Sequence, residues 1–538
     1  MAASRAFQIG DILGETLNHL YPDPFFEQYS NPEKRETLAS CARVNKFVHE
    51  FALDVLWSSM DDLHPLFKVL PAFQRATVLH DHRDRTSDYI LFGRLSSEDL
   101  HRFQLYAQRI ITLHIDREYS ESQPIHPSVL LSLYRALGHQ PLLPRLRTLS
   151  WRHDDLADHD VLYFVSPSLR SLYFRFFDDV NTVTENIDGV TRKFLYETLC
   201  EQVATAAPGL ETLTVMSYAT PYYFVPFGKC GGLREVAITG QPSQYTHGLG
   251  ALSSLDNLTR LHLRDASELG QDVVQELHGF RGLKAVRIEG DPRSICRVLM
   301  GFATSDATLC EIEVEIRTPY SCDPQTATDL LSTIKSHFSV SLHKLTLSNL
   351  PLESTHGDAS PSLHPLPLLF GLRNLHTVYL FIPSRIAVSD EDLCAITSSW
   401  ANIVSLRIRW KTAGDVVMAR PTLDCLPRIA RSCPHLRMLY VSSMDLTFAA
   451  GLDTYPSLSH HLDFLGIGES ISDRQEIDVM DVALFLDRLF PFLDIKALRE
   501  LYERLRGGLP SLARVCDQLQ AFQVMRTQAR KQMEERNF

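Results

Sequence analysis

The chain has 538 residues with 44% hydrophobic and 22% charged content, ordinary for a folded protein and unlike a disordered one. Its length exceeds what one ordinary hydrophobic core supports, so several domains or one elongated repeat array must share it. The net charge of −12 argues against nucleic acid as the main partner, because phosphate binding needs a basic face.

The first 60 residues read as a small helical module. "GDILGETLNHLYPDP" predicts a short helix with Ile12, Leu13, Leu17 and Leu20 in register, stopped by Pro22 and Pro24. "NPEKRETLASCARVNKF" predicts a second helix, with Asn31 as N-cap and Pro32 at the first helical position. Its apolar face is Leu38, Cys41, Ala42, Phe47 and Val48. "HEFALDVLW" predicts a third. Three helices of this size make a marginal domain, so part of the apolar surface can belong to a partner. Residues 61–100 are expected to form a helical linker. There "LHDHRD" sets His80 and His82 around Asp81, two candidate metal ligands with no third beside them, a pair read as surface residues.

From residue 101 to 492 one pattern returns: apolar, two residues, apolar, one residue, apolar. It begins as "IITLHI" at Ile110, "LRTLSW" at Leu146, "LRSLYF" at Leu169 and "LETLTV" at Leu210. It continues as "LREVAI" at Leu233, "LTRLHL" at Leu258, "LKAVRI" at Leu283, "LCEIEV" at Leu309 and "LHKLTL" at Leu342. "LHTVYL" at Leu375, "IVSLRI" at Ile403, "LRMLYV" at Leu436 and "LDFLGI" at Leu462 complete thirteen copies. Spacings of about two dozen to about forty residues suit leucine-rich repeats with insertions. The expected fold is therefore α/β: an irregular arc with parallel strands on the concave side and helices such as "DVVQELHGF" (residues 272–280) outside. Residues 493–538 are expected to be a terminal helical cap. After Pro510, Leu512, Val515, Leu519, Phe522 and Met525 form its stripe.

Counting two, four and six residues from each leading apolar position predicts the concave lining. Candidate binding residues are Tyr173 and Arg175; Arg260, His262 and Arg264; Arg287; Tyr379 and Phe381; Arg407 and Arg409; and Tyr440. Arginines and aromatics dominate binding hot spots. Glu289, Glu311, Glu313 and Glu315 stand among them. The arginines beside them are expected to neutralise that ladder; a charged recognition surface is the alternative.

No G-x-S-x-G, G-x-x-x-x-G-K-[ST] or H-E-x-x-H occurs, so neither catalytic residues, a cofactor nor a metal is expected. "GKCGGL" (residues 228–233) leads into a repeat strand rather than a phosphate-holding helix. The ten cysteines form no C-x-x-C pair. The start "MAASRAFQIGDIL" lacks an apolar signal core, and no run reaches the roughly 18 apolar residues of a membrane span. An intracellular protein with reduced thiols, in cytoplasm or nucleus and with no membrane partner, is the expectation.

The pattern "DILGETLNHL…TLASCARVNKFVHEFALDVLW" resembles an F-box, in the form common in fungal proteins with leucine-rich repeats. Lead-ins such as "SPSL", "APGL" and "SCPHL" resemble the turns of cysteine-containing leucine-rich repeats in ubiquitin-ligase subunits. The order of parts is similar to that family over the whole chain. The resemblance implies a non-catalytic substrate receptor of an SCF ubiquitin ligase. Its F-box would dock on the Skp adaptor, and through it a cullin/RING ligase, while the arc holds a protein substrate. Ile12, Leu13, Leu17, Leu20, Leu38, Val44, Phe47, Leu53 and Leu56 would contact the adaptor. Trp57 also matches the family's closing helix, though a place in the core suits it better. Each of the others could equally pack the module's own core. Gln8, Ile9 and Gly10 stand where the family carries Leu-Pro. That departure motivates the alternative of a repeat scaffold that does not engage the adaptor.

Overall fold

The computed structural model describes residues 10–20, 32–79, 85–115, 125–153, 159–176, 189–217, 221–239, 246–266, 277, 279–304, 308–317, 324–350, 365–411, 420–448, 451, 454–470, 478–504 and 510–536. The protein is α/β, with a parallel sheet of 14 strands taken in chain order. Two compact units divide it, residues 1–260 and 261–538.

The first unit opens with α1 (Gly10–Asn18), α2 (Pro32–Cys41) and α3 (Lys46–Ser58). Leu13, Leu17, Leu38, Ala42, Ala52 and Val55 form their shared core. Each of the leucines and Val55, fully buried, contributes about 1.5–3 kcal/mol, and each alanine methyl less. The second helix was expected to run on to Phe47, but it ends at Cys41. Asn45 explains the break: its extended backbone and side-chain oxygen cap α3, accepting from the amides of Phe47 and Val48 at 2.9 Å each.

No linker separates α3 from the sheet. The helix runs straight into β1 (Ser59–Met60), which pairs in parallel with β4 (Thr112–Ile115). Where residues 61–100 were expected to be helical, the chain forms α4 (His64–Phe67), an antiparallel pair, β2 (Phe73–Leu79) with β3 (Arg85–Leu91), and the start of α5 (Ser97–Ala107). Phe73 stacks on Tyr89 across that pair, ring centroids 4.9 Å apart, so β-propensity and cross-strand packing win over a helical reading. His80 and His82 lie outside the described residues.

The remaining strands of this unit are β5 (Thr148–His153), β6 (Ser171–Phe176), β7 (Thr212–Met216) and β8 (Glu235–Thr239). Between them lie α6 (Ser128–Ala136), α7 (Gly189–Ala206) and 3-10 turns over Asp160–Tyr163 and Pro221–Lys229. "GKCGGL" starts in the last of these turns and ends at Leu233, two residues before β8. α8 (Thr246–Ser253) follows. β9 (Arg260–Arg264) begins at the unit's last residue.

The second unit carries β10 (Ala285–Gly290), β11 (Glu311–Ile316), β12 (Lys344–Ser348), β13 (Thr377–Arg385), β14 (Ser405–Lys411), β15 (Met438–Met444) and β16 (Phe464–Ser470). Connections include α9 (Pro292–Ala303), α10 (Pro324–Phe338), α11 (Asp390–Ser399) and α12 (Leu426–Ser432). A 3-10 turn over Leu366–Gly371, entered through Pro365, stands where other connections carry an α-helix. Most of residues 272–280, expected as a helix, lies outside the described residues. α13 (Val479–Leu489), α14 (Ile495–Arg504) and α15 (Pro510–Arg536) end the chain. α15 buries Leu512, Val515 and Leu519, but Met525 is 55% exposed, so its apolar stripe is covered only along the first half.

Each of the thirteen repeat motifs has a strand starting two residues after its leading apolar residue. The leading residues, from Ile110 to Leu462, are all buried. In β6, β7, β9, β11 and β14 burial alternates: in β11 Ile312, Val314 and Ile316 are buried and Glu311, Glu313 and Glu315 half-buried. The alternate residues therefore share a half-exposed sheet face.

Candidate functional site

On the N-terminal helices, the nine expected adaptor contacts separate by burial. Leu13, Leu17 and Leu38 are core, and Leu20, Leu53 and Leu56 are partly buried against it. Ile12 lies on α1, in the described backbone. Val44 and Phe47 point outward, 69% and 45% exposed. Asn45 holds them at the corner between α2 and α3. Trp57, read as an anchor, packs on Tyr106 with ring centroids 4.7 Å apart. Arg109 clips the same helix to the sheet side, pairing with Glu50 at 2.5 Å and with Asp54. The Glu50 carboxyl is held below its usual range by that hydrogen bond and charge.

In the second unit, His262, Arg264 and Arg287 converge on one carboxylate. Glu289 has only 8% of its side chain exposed. Its oxygens meet His262 Nε2 at 2.7 Å, Arg287 Nε at 3.0 Å and Arg317 Nη2 at 2.9 Å, with Arg264 Nε at 3.9 Å. Burial raises the Glu289 pKa, but these donors outweigh it and hold the carboxyl down at about 2. Arg287 also reaches Glu313 and Glu315 at 3.0 Å each, and Glu311 pairs with Lys344 at 3.2 Å. Parallel register, Glu289 beside Glu315 and Arg287 beside Glu313, makes this possible. The glutamate ladder is thus balanced by its own neighbours. Arg317 is the member the repeat count missed, because it follows the strand instead of alternating within it.

Further along, register alone assembles a second cluster. Tyr379 pairs with Arg407 and Arg407 with Tyr440, while Phe381 pairs with Arg409. The Arg407 guanidinium stands 5.6 Å from the Tyr379 ring and 5.5 Å from the Tyr440 ring, a cation held between two aromatic faces. Arg409 lies 5.3 Å over the Phe381 ring and donates to the Tyr379 hydroxyl at 3.4 Å. Gly466 and Gly468 make room: a Cβ on Gly466 would overlap the Tyr440 ring, and one on Gly468 would stand 2.9 Å from its hydroxyl. The signal was legible as two glycines in "LDFLGIGES", four and six positions after Leu462, where no other copy carries glycine.

In the first unit, Arg175 sits 5.7 Å over the Tyr173 ring, and its Nη2 donates to the Tyr173 hydroxyl at 3.3 Å. Tyr173 in turn contacts the Met216 sulfur. Arg260 is exposed at the unit's end.

Among the described residues no group of three or more His, Cys, Asp or Glu side chains could hold a metal. Cys394, Cys425 and Cys433 are buried, and burial pushes all three thiols up, Cys433 to about 12. No described helix is long and apolar enough to cross a membrane. No protein-family model matches the chain, and no curated protein matches it.

Proposed function

We propose that this chain is an F-box and leucine-rich-repeat protein, the non-catalytic substrate-recognition subunit of an SCF-type ubiquitin ligase. The helices up to Ser58 act as the F-box and engage a Skp-family adaptor, and through it the cullin/RING ligase. The thirteen repeat strands form a leucine-rich solenoid whose concave face holds a protein substrate, and the C-terminal helices close the array. Such a receptor acts by proximity, raising the effective concentration of a substrate lysine near a charged enzyme. In this reading the work is done in the cytoplasm or nucleus.

The observation that carries the reading is the seam at Ser58. The helix that exposes Phe47 continues without a linker into β1, so an adaptor docked there is held rigidly to the sheet of the same unit. A receptor needs that rigidity to present its substrate at a fixed place. Among the described residues of the module, Val44 and Phe47 are the exposed large apolar side chains, the type an adaptor would cover.

The test is co-expression with the Skp adaptor followed by gel filtration. Wild type is expected to form a complex, and a Val44→Asp, Phe47→Asp variant with an unchanged circular dichroism spectrum is expected to lose it. Leu17 and Leu38 are unsuitable for this, being 4% and 0% exposed, since a charge there would unfold the module. Failure of folded wild type to bind would leave the alternative, a repeat scaffold that binds proteins without the adaptor.

A further inference from the structure

The two charged clusters of the second unit differ in one respect. Arg264, Arg287 and Arg317 surround Glu289 and meet further carboxylates at Asp265, Glu313 and Glu315. Arg407 and Arg409 are positioned by rings instead. Among the described residues, no carboxylate lies within 4 Å of either. Among the described side chains, the outward-alternating positions of β13 to β15 bear Arg407, Arg409 and Lys411 and no aspartate or glutamate. This is a local basic field on a chain of net charge −12.

The Tyr379 and Tyr440 rings, one on each neighbouring strand, flank the Arg407 guanidinium, its central carbon 5.6 and 5.5 Å from their centroids. A guanidinium held so has lost its rotamer freedom beforehand, and its fork matches a carboxylate in bidentate geometry. Arg409, two residues on along the same strand face, offers a second fork. Alternate residues of an extended chain stand about 7 Å apart, in a second strand as in β14 itself.

We propose that the Tyr379–Arg407–Tyr440 stack and Arg409 bind an extended acidic protein segment whose carboxylates stand two residues apart. This rests on reading the half-exposed face as the substrate surface, and it names the chemistry of what is bound. A nucleic acid is disfavoured: both tyrosine rings that could stack on bases already turn a face to Arg407.

The test uses full-length protein and fluorescence anisotropy. The probe is a labelled peptide of alternating glutamate and glycine, and the control is its glutamine counterpart. Wild type is expected to bind the glutamate peptide and not the control, with affinity falling as salt rises. Arg407→Gln and Arg409→Gln are each expected to weaken binding about tenfold or more, Arg407→Lys less, since lysine keeps the charge but not the fork. Tyr440→Leu keeps both charges and is expected to weaken binding by loosening Arg407. Arg409 is exposed, so its variant tests the proposal even where Arg407→Gln disturbs folding. No binding by wild type, binding unchanged in the Arg409→Gln and Tyr440→Leu variants, or tighter binding of a single-stranded oligonucleotide would overturn it. Adaptor co-purification of the same variants separates the two readings. Retained adaptor with no peptide bound fails this inference alone, and peptide bound without adaptor fails the ligase reading alone.

Discussion

His262 Nε2 meets Glu289 Oε1 at 2.7 Å, and this contact belongs to a carboxylate held by three arginines as well. The Glu289 carboxyl titrates at about 2 in the folded chain, against 4.5 ordinarily. A depressed carboxyl stabilises the fold above its unfolded value, and that stability is lost as pH falls through the folded one. The window is therefore about pH 4.5 down to 2, and the stabilisation at neutral pH is on the order of 2–3 kcal/mol. Wild type should exceed Glu289→Gln in urea midpoint near neutrality, and the gap should narrow by about pH 3. A gap that stays constant with pH would show that the carboxylate's charge is not what the arginines hold.

Asn45 sets the corner on which the proposed adaptor contact depends. Removing its side chain leaves the amides of Phe47 and Val48 without their acceptor. Asn45→Ala should destabilise the N-terminal helices by about 1 kcal/mol. Amide exchange should accelerate at Phe47 and Val48 before it does in β10 to β16. Unchanged exchange at these two amides would mean that the cap contributes nothing in solution.

The nine cysteines among the described residues should react in two classes. Cys200, Cys230, Cys394, Cys425, Cys433 and Cys516 are buried, and burial raises every one of these thiols, Cys516 to about 11. Cys41, Cys296 and Cys310 are partly exposed. Since the thiolate is the reactive form, a maleimide at neutral pH should label the second class first and the first class only on unfolding. Peptide mapping after timed labelling checks this, and early modification of Cys433 would contradict it.

The sheet was legible because its period is simple. A leading leucine with apolar residues three and five later buries one strand face whatever lies between, so thirteen strand starts could be counted from letters alone. β1 could not be found that way, because Ser59 and Met60 are too few to alternate. The β2–β3 pair was missed for another reason: "FQRATVL" has no sharp period, and its partner strand decides its state. At the candidate site, Tyr379, Arg407 and Tyr440 could be named singly but not joined. Their meeting is a matter of register between copies whose spacing varies. Glu289 and Arg317 were harder still, since an ion pair depends on side-chain reach and leaves no periodic trace.

Every array ends in a strand that could recruit another chain, and Tyr502 stands at that end. It is buried on α14, and its hydroxyl donates to the Leu465 carbonyl of β16 at 3.0 Å. Burial pushes the phenol well above its usual range, so it stays a donor at any ordinary pH. α15 then covers Leu486, Leu498 and Tyr502 with Leu512, Val515 and Leu519. Arg526 fastens it to Asp487 and to the Pro491 carbonyl, the latter at 2.9 Å. Tyr502→Phe should cost about 1 kcal/mol, one buried hydrogen bond with the ring kept. Ending the chain before Pro510 should cost far more, because it bares an apolar surface beside the last strand. Light scattering should then show association that grows with protein concentration, while Tyr502→Phe remains monodisperse under the same conditions. A truncated chain as well behaved as the full one would mean that β16 is protected by α13 and α14 alone.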